Sequence, residues 1–419
     1  MRNRHKSLLR LLLLCAAFTA FAAGASAQVP ITDPAPGQLI ITEFRLRGPG
    51  GAADEFIEVY NPTDSTLRVT DQSRDTVYQL QCALANSCGW ALADLSSYFG
   101  GSPKFIIPSG VEIPPRGHYL IANAGGYSLG GYAAADGTYG AGGGVEIADA
   151  TGIAVFKTAD TAAFNGSNAC LGGTNGATCV LDAAGFGNNA SPYREGTGLP
   201  EVTDADVEYS YVRKVGTTGF PQDTNVNAND FWLVATDPSA LAGVTAVLGA
   251  PGPENSSSPT NKTAQMKSSL LDPGVSSTSS PNQVRDATPG VAGTPTAFGT
   301  LTLRRYFTNT TGGAVTRVRL RVTNITTTNS PGAGTSQADV RALTSAAESI
   351  TVNGVAVDVR KLTLEEPPAQ SKGGGYNASL LFDLPGGSLA NGDKVAVNIK
   401  LGVAKGGTYR LAYTVEAAP

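Results

Sequence analysis

Histidine is almost absent from this chain, with two in 419 residues, and the first, His5, sits in a basic N-terminal leader. Any Ser/His/Asp or Cys/His scheme would have to use His118 as its base, beside a positioned nucleophile. His118 falls in GHYLIAN, straight after a Pro-Gly turn, where strand alternation already explains it. Cysteine is scarce too: there are five, none in C-x-x-C spacing, and the four beyond the leader have no histidine nearby, which argues against zinc. The G-x-x-x-x-G-K-[ST] phosphate loop is missing. These absences point to a chain without enzymatic activity, cofactor or metal.

What the N-terminus does carry is a leader. Arg2, Arg4, Lys6 and Arg10 precede an apolar run over residues 11–23, which gives way to Ala25-Ser26-Ala27. Basic, then apolar, then small residues is the order of a secretory signal peptide, with cleavage expected after Ala27. The run is shorter than the roughly 20 residues of a spanning helix, so no transmembrane segment is expected after cleavage. The expected location is secreted, extracellular or periplasmic. Cys82, Cys88, Cys170 and Cys179 remain beyond the leader, and an even count in a secreted chain reads as disulfides. Four cysteines permit three pairings; closeness in sequence favours Cys82 with Cys88 and Cys170 with Cys179.

Charge is unevenly spread. The formal net charge is −4, and −8 without the leader, which holds four basic and no acidic residues. Residues 28–248 hold 10 Lys+Arg against 23 Asp+Glu, whereas residues 298–419 hold 13 against 8. The first half should repel polyanions and the second could attract them.

Organisation follows from short β-like runs. Residues 28–250 alternate such runs with Gly, Pro, Asn and Asp turns, and the strongest signal is residues 39–61, where two alternating segments flank a Gly/Pro-rich turn as in a β-hairpin. A short helical turn is expected over residues 91–99. Residues 251–297 are rich in Pro, Ser and Thr and read as a flexible linker. Strand-like alternation returns over residues 298–419. The expected fold is all-β, a sandwich followed by a linker and a second sandwich.

The wording of the first part resembles the lamin-tail domain, a small immunoglobulin-like sandwich. The resemblance rests on LIITEFRLRGPGGAADEFIEVYN at 39–61 and FIIPSGVEIPPRGHYLIAN at 105–123, with Pro108, Gly110, Pro114 and Gly117 setting a turn. It continues through GIAVFK at 152–157, VLDAAGFG at 180–187, YSYVRK at 209–214, DTNVNANDF at 223–231 and GAPGPEN at 249–255, in the family's order. Residues 71–103 and 123–151 stand out as insertions. The resemblance implies an interaction module, and it implies that the Glu43 and Glu58 carboxylates belong to the architecture, bonding backbone N–H groups of a neighbouring loop.

Several side chains still invite chemistry. Asp54, Glu55 and Glu58 could suggest a glycosidase pair, but alternation puts Glu55 and Glu58 on opposite faces. Residues 223–230, DTNVNAND, space oxygen ligands as calcium sites do, yet Ala228 and Val234 stand where an EF-hand needs Gly and Glu. A turn is the expectation there. Arg317, Arg319 and Arg321 alternate with apolar residues and so share one strand face, to which Arg304 and Arg305 could add. That makes either a solvated outer face or a patch for anionic polysaccharide or other polyanions. Tyr127, Tyr132 and Tyr139 either anchor their Gly-rich loop or stack on sugars. The expected function is a non-enzymatic adhesion or scaffolding protein with protein or polysaccharide partners and no specific nucleic acid. The alternative is an accessory module of, or a cryptic, secreted hydrolase of nuclease or phosphatase type.

Overall fold

The computed structural model describes residues 37–69, 89–94, 96, 102–141, 145–157, 180–187, 193–332 and 334–419. The leader, Cys82, Cys88, Cys170 and Cys179 lie outside these, and so do the expectations placed on them.

The first half contributes strands β1 (Ile40–Arg45), β2 (Phe56–Tyr60), β3 (Leu67–Arg68), β4 (Gly89–Asp94), β5 (Phe105–Pro108) and β6 (Glu112–Ile113). Then come β7 (His118–Asn123), β8 (Gly137–Tyr139), β9 (Ile153–Phe156), β10 (Val180–Ala184), β11 (Tyr209–Arg213), β12 (Phe231–Ala235) and β13 (Val247–Leu248). They form a seven-stranded sheet in the order β13-β12-β11-β1-β2-β7-β8, facing a four-stranded sheet β10-β9-β4-β5. Leu39, Ile41, Phe44, Ile57 and Val59 of the larger sheet meet Trp90, Leu92, Ile107, Ile153 and Val155 of the smaller in one core.

The 39–61 hairpin forms as the alternation predicts, with one change of phase. A bulge between Ile41 and Glu43 shifts the register. Ile41 and Phe44 therefore both reach the core, although strict alternation would put them on opposite faces. Glu43 is thereby turned to the outer face, directly across from Glu58.

The second half contributes β14 (Thr260–Asn261), β15 (Met266–Leu270), β16 (Gln283–Asp286), β17 (Thr300–Asn309), β18 (Arg317–Ile325) and β19 (Asp339–Leu343). It ends with β20 (Glu348–Val352), β21 (Val355–Arg360), β22 (Leu362–Leu364), β23 (Ser379–Phe382), β24 (Lys394–Lys405) and β25 (Leu411–Ala418). A five-stranded sheet β14-β25-β18-β23-β22 faces a sheet built on β15-β17-β24-β21-β20. Val318, Leu320 and Val322 point into the core between them, with Phe307, Val397 and Leu401 opposite.

Two sequence expectations are corrected. Residues 251–297 are not a free linker: β14 pairs with β25, and both β15 and β16 pair with β17. Edge strands need few apolar residues, here chiefly Met266 and Leu271, so composition alone hid them. Side chains do the rest, as fully buried Asn282 accepts from Asp272 N at 2.8 Å and donates to Asp272 O at 2.7 Å. The helical turn expected at residues 91–99 starts later: residues 91–94 belong to β4, with Trp90 wholly buried, and Ser96 is helical. Part of the 71–103 insertion is thus core sheet.

Candidate functional site

The outer face of the first sheet meets the β18 face of the second sandwich, and charge concentrates there. The hairpin register sets Glu43 opposite Glu58, a like-charge cross-strand pair that costs stability unless something compensates it. Compensation comes from Arg321 of β18, whose charge acts on Glu43, and from His118 beside Glu58. Arg319 and Arg321 share one face of β18, and Glu416, across from Arg319 on β25, adds another acid for them to hold.

Most groups in this cluster are hydrogen-bonded; buried Arg321 Nη2 has no hydrogen-bond partner and lies 3.3 Å from Glu254. Arg319 donates from Nε to Glu416 and from Nη2 to Glu254. Arg321 donates from Nε to Glu416 at 2.7 Å, and from Nη1 to the Gly252 carbonyl at 3.0 Å and Asn377 Oδ1 at 2.9 Å. Glu43 accepts from Ser210 Oγ at 2.7 Å, Gly252 N at 3.0 Å and Asn377 Nδ2 at 2.9 Å. Glu58 accepts from Glu254 N at 2.7 Å and from Thr42 Oγ1. Both therefore bond the backbone of the 252–254 loop, as the architectural reading expects. His118 Nδ1 lies 2.8 Å from Glu58, and Nε2 lies 3.4 Å from Glu254.

Burial sets the protonation states. Desolvation, reinforced by the facing Glu58, pushes the Glu43 carboxyl up to about 7. Burial alone would lower the His118 pKa, but Glu254 and Glu58 outweigh it and raise the imidazole above its ordinary value. Burial would raise Glu416, but Arg319 and Arg321 hold it down at about 2. Burial raises the Glu254 carboxyl as well, against the pull of Arg321, His118 and Arg319; Glu58, Glu254 and Glu416 thus face Arg319, Arg321 and His118.

A cavity of about 90 Å³ lies beside it between the sandwiches, room for a few waters at roughly 30 Å³ each. Trp232, Val234, Val322 and Tyr376 wall one side, and the charged cluster walls the other.

The arginine face expected for polyanions is corrected here. Arg319 is 1% exposed and Arg321 8%, because the face of β18 that alternation turns out of its own sandwich is covered by the other sandwich. Arg317 is the most open and pairs with Glu365 at 3.0 Å. Arg304 lies on β17 in a different sheet, bonded to Glu348 at 2.8 Å and Asn398 at 3.2 Å, and Arg305 donates to the Asn282 carbonyl at 3.0 Å. These residues form no common patch.

The tyrosines anchor. Tyr139 donates to Glu55 and Tyr127 to the Ala133 carbonyl, at 2.8 and 2.9 Å. Tyr132 reaches the other sandwich, with its hydroxyl 2.8 Å from Ser379 Oγ. Glu55, on the face opposite Glu58, also accepts from Asn123 Nδ2 at 2.8 Å and Ile147 N at 2.6 Å. Asp54 accepts from buried Arg45 and from Ser128 N, at 2.5 and 3.0 Å. The run Gly126-Tyr-Ser128-Leu-Gly130 has the G-x-S-x-G spacing of a nucleophile elbow, which corrects the expectation that the chain lacks that motif. It forms a 3-10 turn rather than a strand-to-α-helix turn. Arg45 donates to Ser128 Oγ at 3.0 Å, while both ring nitrogens of His118 are turned to carboxylates.

A second charged cluster sits where β10 meets β1. Asp182 Oδ2 accepts from Ile41 N at 2.6 Å and from Arg213 Nη2. One oxygen each from Asp182, Glu195 and Asp223 lies within 4.8 Å of the others. Burial, then the charges of Asp182 and Asp223, push Glu195 up to about 9, and burial raises Asp182 to about 6 against the pull of Arg213. The 223–230 run itself folds as the expected turn: Asp230 accepts from Thr224 N at 2.9 Å and Thr224 Oγ1 at 2.8 Å, and Asn227–Asp230 forms one helical turn.

Glu254, Glu416, Asn377 and Tyr132 went unremarked in the sequence. The opposite charges of the two halves were no guide to the junction: Arg319 and Arg321 are neutralised by Glu254, which lies between those halves, and by Glu416 of their own half.

Comparison with protein-family models gave no match, and comparison with curated proteins gave none. Among solved structures, a DUF4876 family protein from Bacteroides thetaiotaomicron is similar at 15% identity, covering 47% of this chain and 70% of that one, with a TM-score of 0.29. A likeness at that level carries no argument about fold or function.

Proposed function

We propose that this chain is a secreted, non-enzymatic adhesion or scaffolding protein in which a lamin-tail-like sandwich and a second sandwich act as one stiff body toward a protein or polysaccharide partner. The observation that carries it is the junction, where the side chains best suited to chemistry, His118, Glu43 and Glu58, and those best suited to polyanions, Arg319 and Arg321, are spent on one another. A module built to hold two surfaces in fixed relation uses its charges this way. The test uses the purified full chain, with pull-down from the native envelope and a turnover panel of nuclease, phosphatase and glycosidase substrates. A saturable envelope partner without turnover supports the reading, and metal-dependent turnover overturns it.

One observation favours a second reading, a cryptic hydrolase. Glu43, held near 7 and lining the same domain-junction cavity as His118, is placed as catalytic acids often are. Turnover abolished by Glu43→Gln would support that reading.

A further inference from the structure

We propose that Asp182, Glu195 and Asp223 form a calcium-binding site at the edge of the first sandwich, tying β10, the 193–200 segment and the 223–230 turn together. The first support is geometry. One oxygen from each of the three residues lies within 4.8 Å of the others, the spread allowed to oxygens around one cation when each sits at about 2.4 Å. The second is an orphan. Asp182 is 1% exposed, and its Oδ1 has no hydrogen-bond partner although Oδ2 has two. A buried carboxylate oxygen without a partner is rare and costly, and a cation between the three carboxyls would satisfy it.

The frame around the site is fixed independently. Asn227, fully buried, accepts from Glu195 N and Gly185 N, both at 3.0 Å, and donates to Ala183 O at 2.9 Å. Glu195 is thus held against β10 before any ion arrives. Arg213 supplies one positive charge among the three carboxyl groups, with Nη1 3.5 Å from Asp223.

The donor set selects the ion. All three ligands are hard oxygens, without nitrogen or sulfur, which favours calcium or magnesium over zinc. Glu195 and Asp223 are partly exposed, so waters can complete the six to eight ligands that calcium takes, and irregular geometry suits calcium better than magnesium. The Glu58, His118 and Glu254 group meets the same distance condition, but Arg319 and Arg321 neutralise it and would repel a cation.

The test titrates calcium alone into the chelator-stripped full chain, followed by calorimetry and thermal unfolding, with magnesium in parallel. One saturable site is expected, with a dissociation constant between about 10⁻⁵ and 10⁻³ M and a rise in Tm of several degrees. Asp223→Asn should weaken calcium binding at least tenfold (about 1.4 kcal/mol). Glu195→Gln removes one of three crowded carboxyl groups and supplies an amide that can donate to the orphan oxygen. It should therefore raise the Tm of the metal-free chain while abolishing the calcium response, an outcome that a merely misfolded variant cannot mimic. Absence of calcium heat and Tm shift in the wild-type chain overturns the proposal, as does wild-type affinity in the folded Glu195→Gln chain.

Discussion

Two clusters of acidic side chains, built in the same chain, reach opposite balances. At the junction, Glu58, Glu254 and Glu416 face Arg319, Arg321 and His118, and the leftover acid, Glu43, is pushed up to about 7 so that it can hold a proton. At the β10 edge, Asp182, Glu195 and Asp223 share Arg213, and one oxygen of Asp182 is left without a partner. A balanced cluster is finished by folding and holds surfaces together. A cluster short of positive charge still has something to bind.

The largest expected effect comes from breaking the balance. Arg319→Ala leaves Glu254 and Glu416 buried with one charged partner fewer each, and removing one side of a buried pair costs about 3–5 kcal/mol. Chemical denaturation of the variant should show that loss, and a change below about 1 kcal/mol would mean the pairs act as surface pairs do.

Acidity comes next. Glu43 and Glu55 both have folded-state values of about 7 against 4.5 as ordinary carboxyls. Their contribution is complete below about 4.5 and is lost as pH rises through 7, because the unfolded chain gives up those protons first. His118, raised above 6.5, works in the same sense: its share is full below 6.5 and fades as pH climbs through the raised value. Glu416, held at about 2, works oppositely, its share present above 4.5 and lost as pH falls through 2. Stability should therefore peak near pH 5 and fall by a few kcal/mol by pH 8, at about 1.4 kcal/mol for each tenfold change in proton affinity. Glu43→Gln should flatten the slope between pH 5 and 8; an unchanged slope would place its origin elsewhere.

Smaller effects mark the rim. Tyr132→Phe deletes a hydroxyl shared with Ser379 across the junction and should cost about 1 kcal/mol. Arg317→Gln removes a half-open pair with Glu365 and should cost no more than about 0.5 kcal/mol. A larger Arg317 effect than Arg319 effect would invert the comparison.

Much of the fold was legible because strand alternation is local. The 39–61 hairpin, the 118–123 strand and the period-2 face of residues 317–321 can be read from neighbours in sequence. What escaped depends on partners far along the chain. The bulge at residue 42 changes which side Glu43 faces, and no residue type marks it. The arginine face was read correctly as a face, but its environment was set by Glu254, 65 residues away, and Glu416, 97 residues away. Likewise the 223–230 turn was readable from its Asx spacing, whereas Asp223's approach to Asp182 and Glu195 was not. The strands within residues 251–297 hid because edge pairing satisfies backbone groups without demanding apolar side chains.

The claim that the junction joins two sandwiches into one body is tested most directly by thermal unfolding of the full chain beside its Arg319→Ala/Arg321→Ala variant, followed by calorimetry. The wild-type chain should unfold in a single cooperative transition near pH 5, and the double variant in two, the first at least several degrees lower. Two separate transitions in the wild type, or one unshifted transition in the variant, would contradict it.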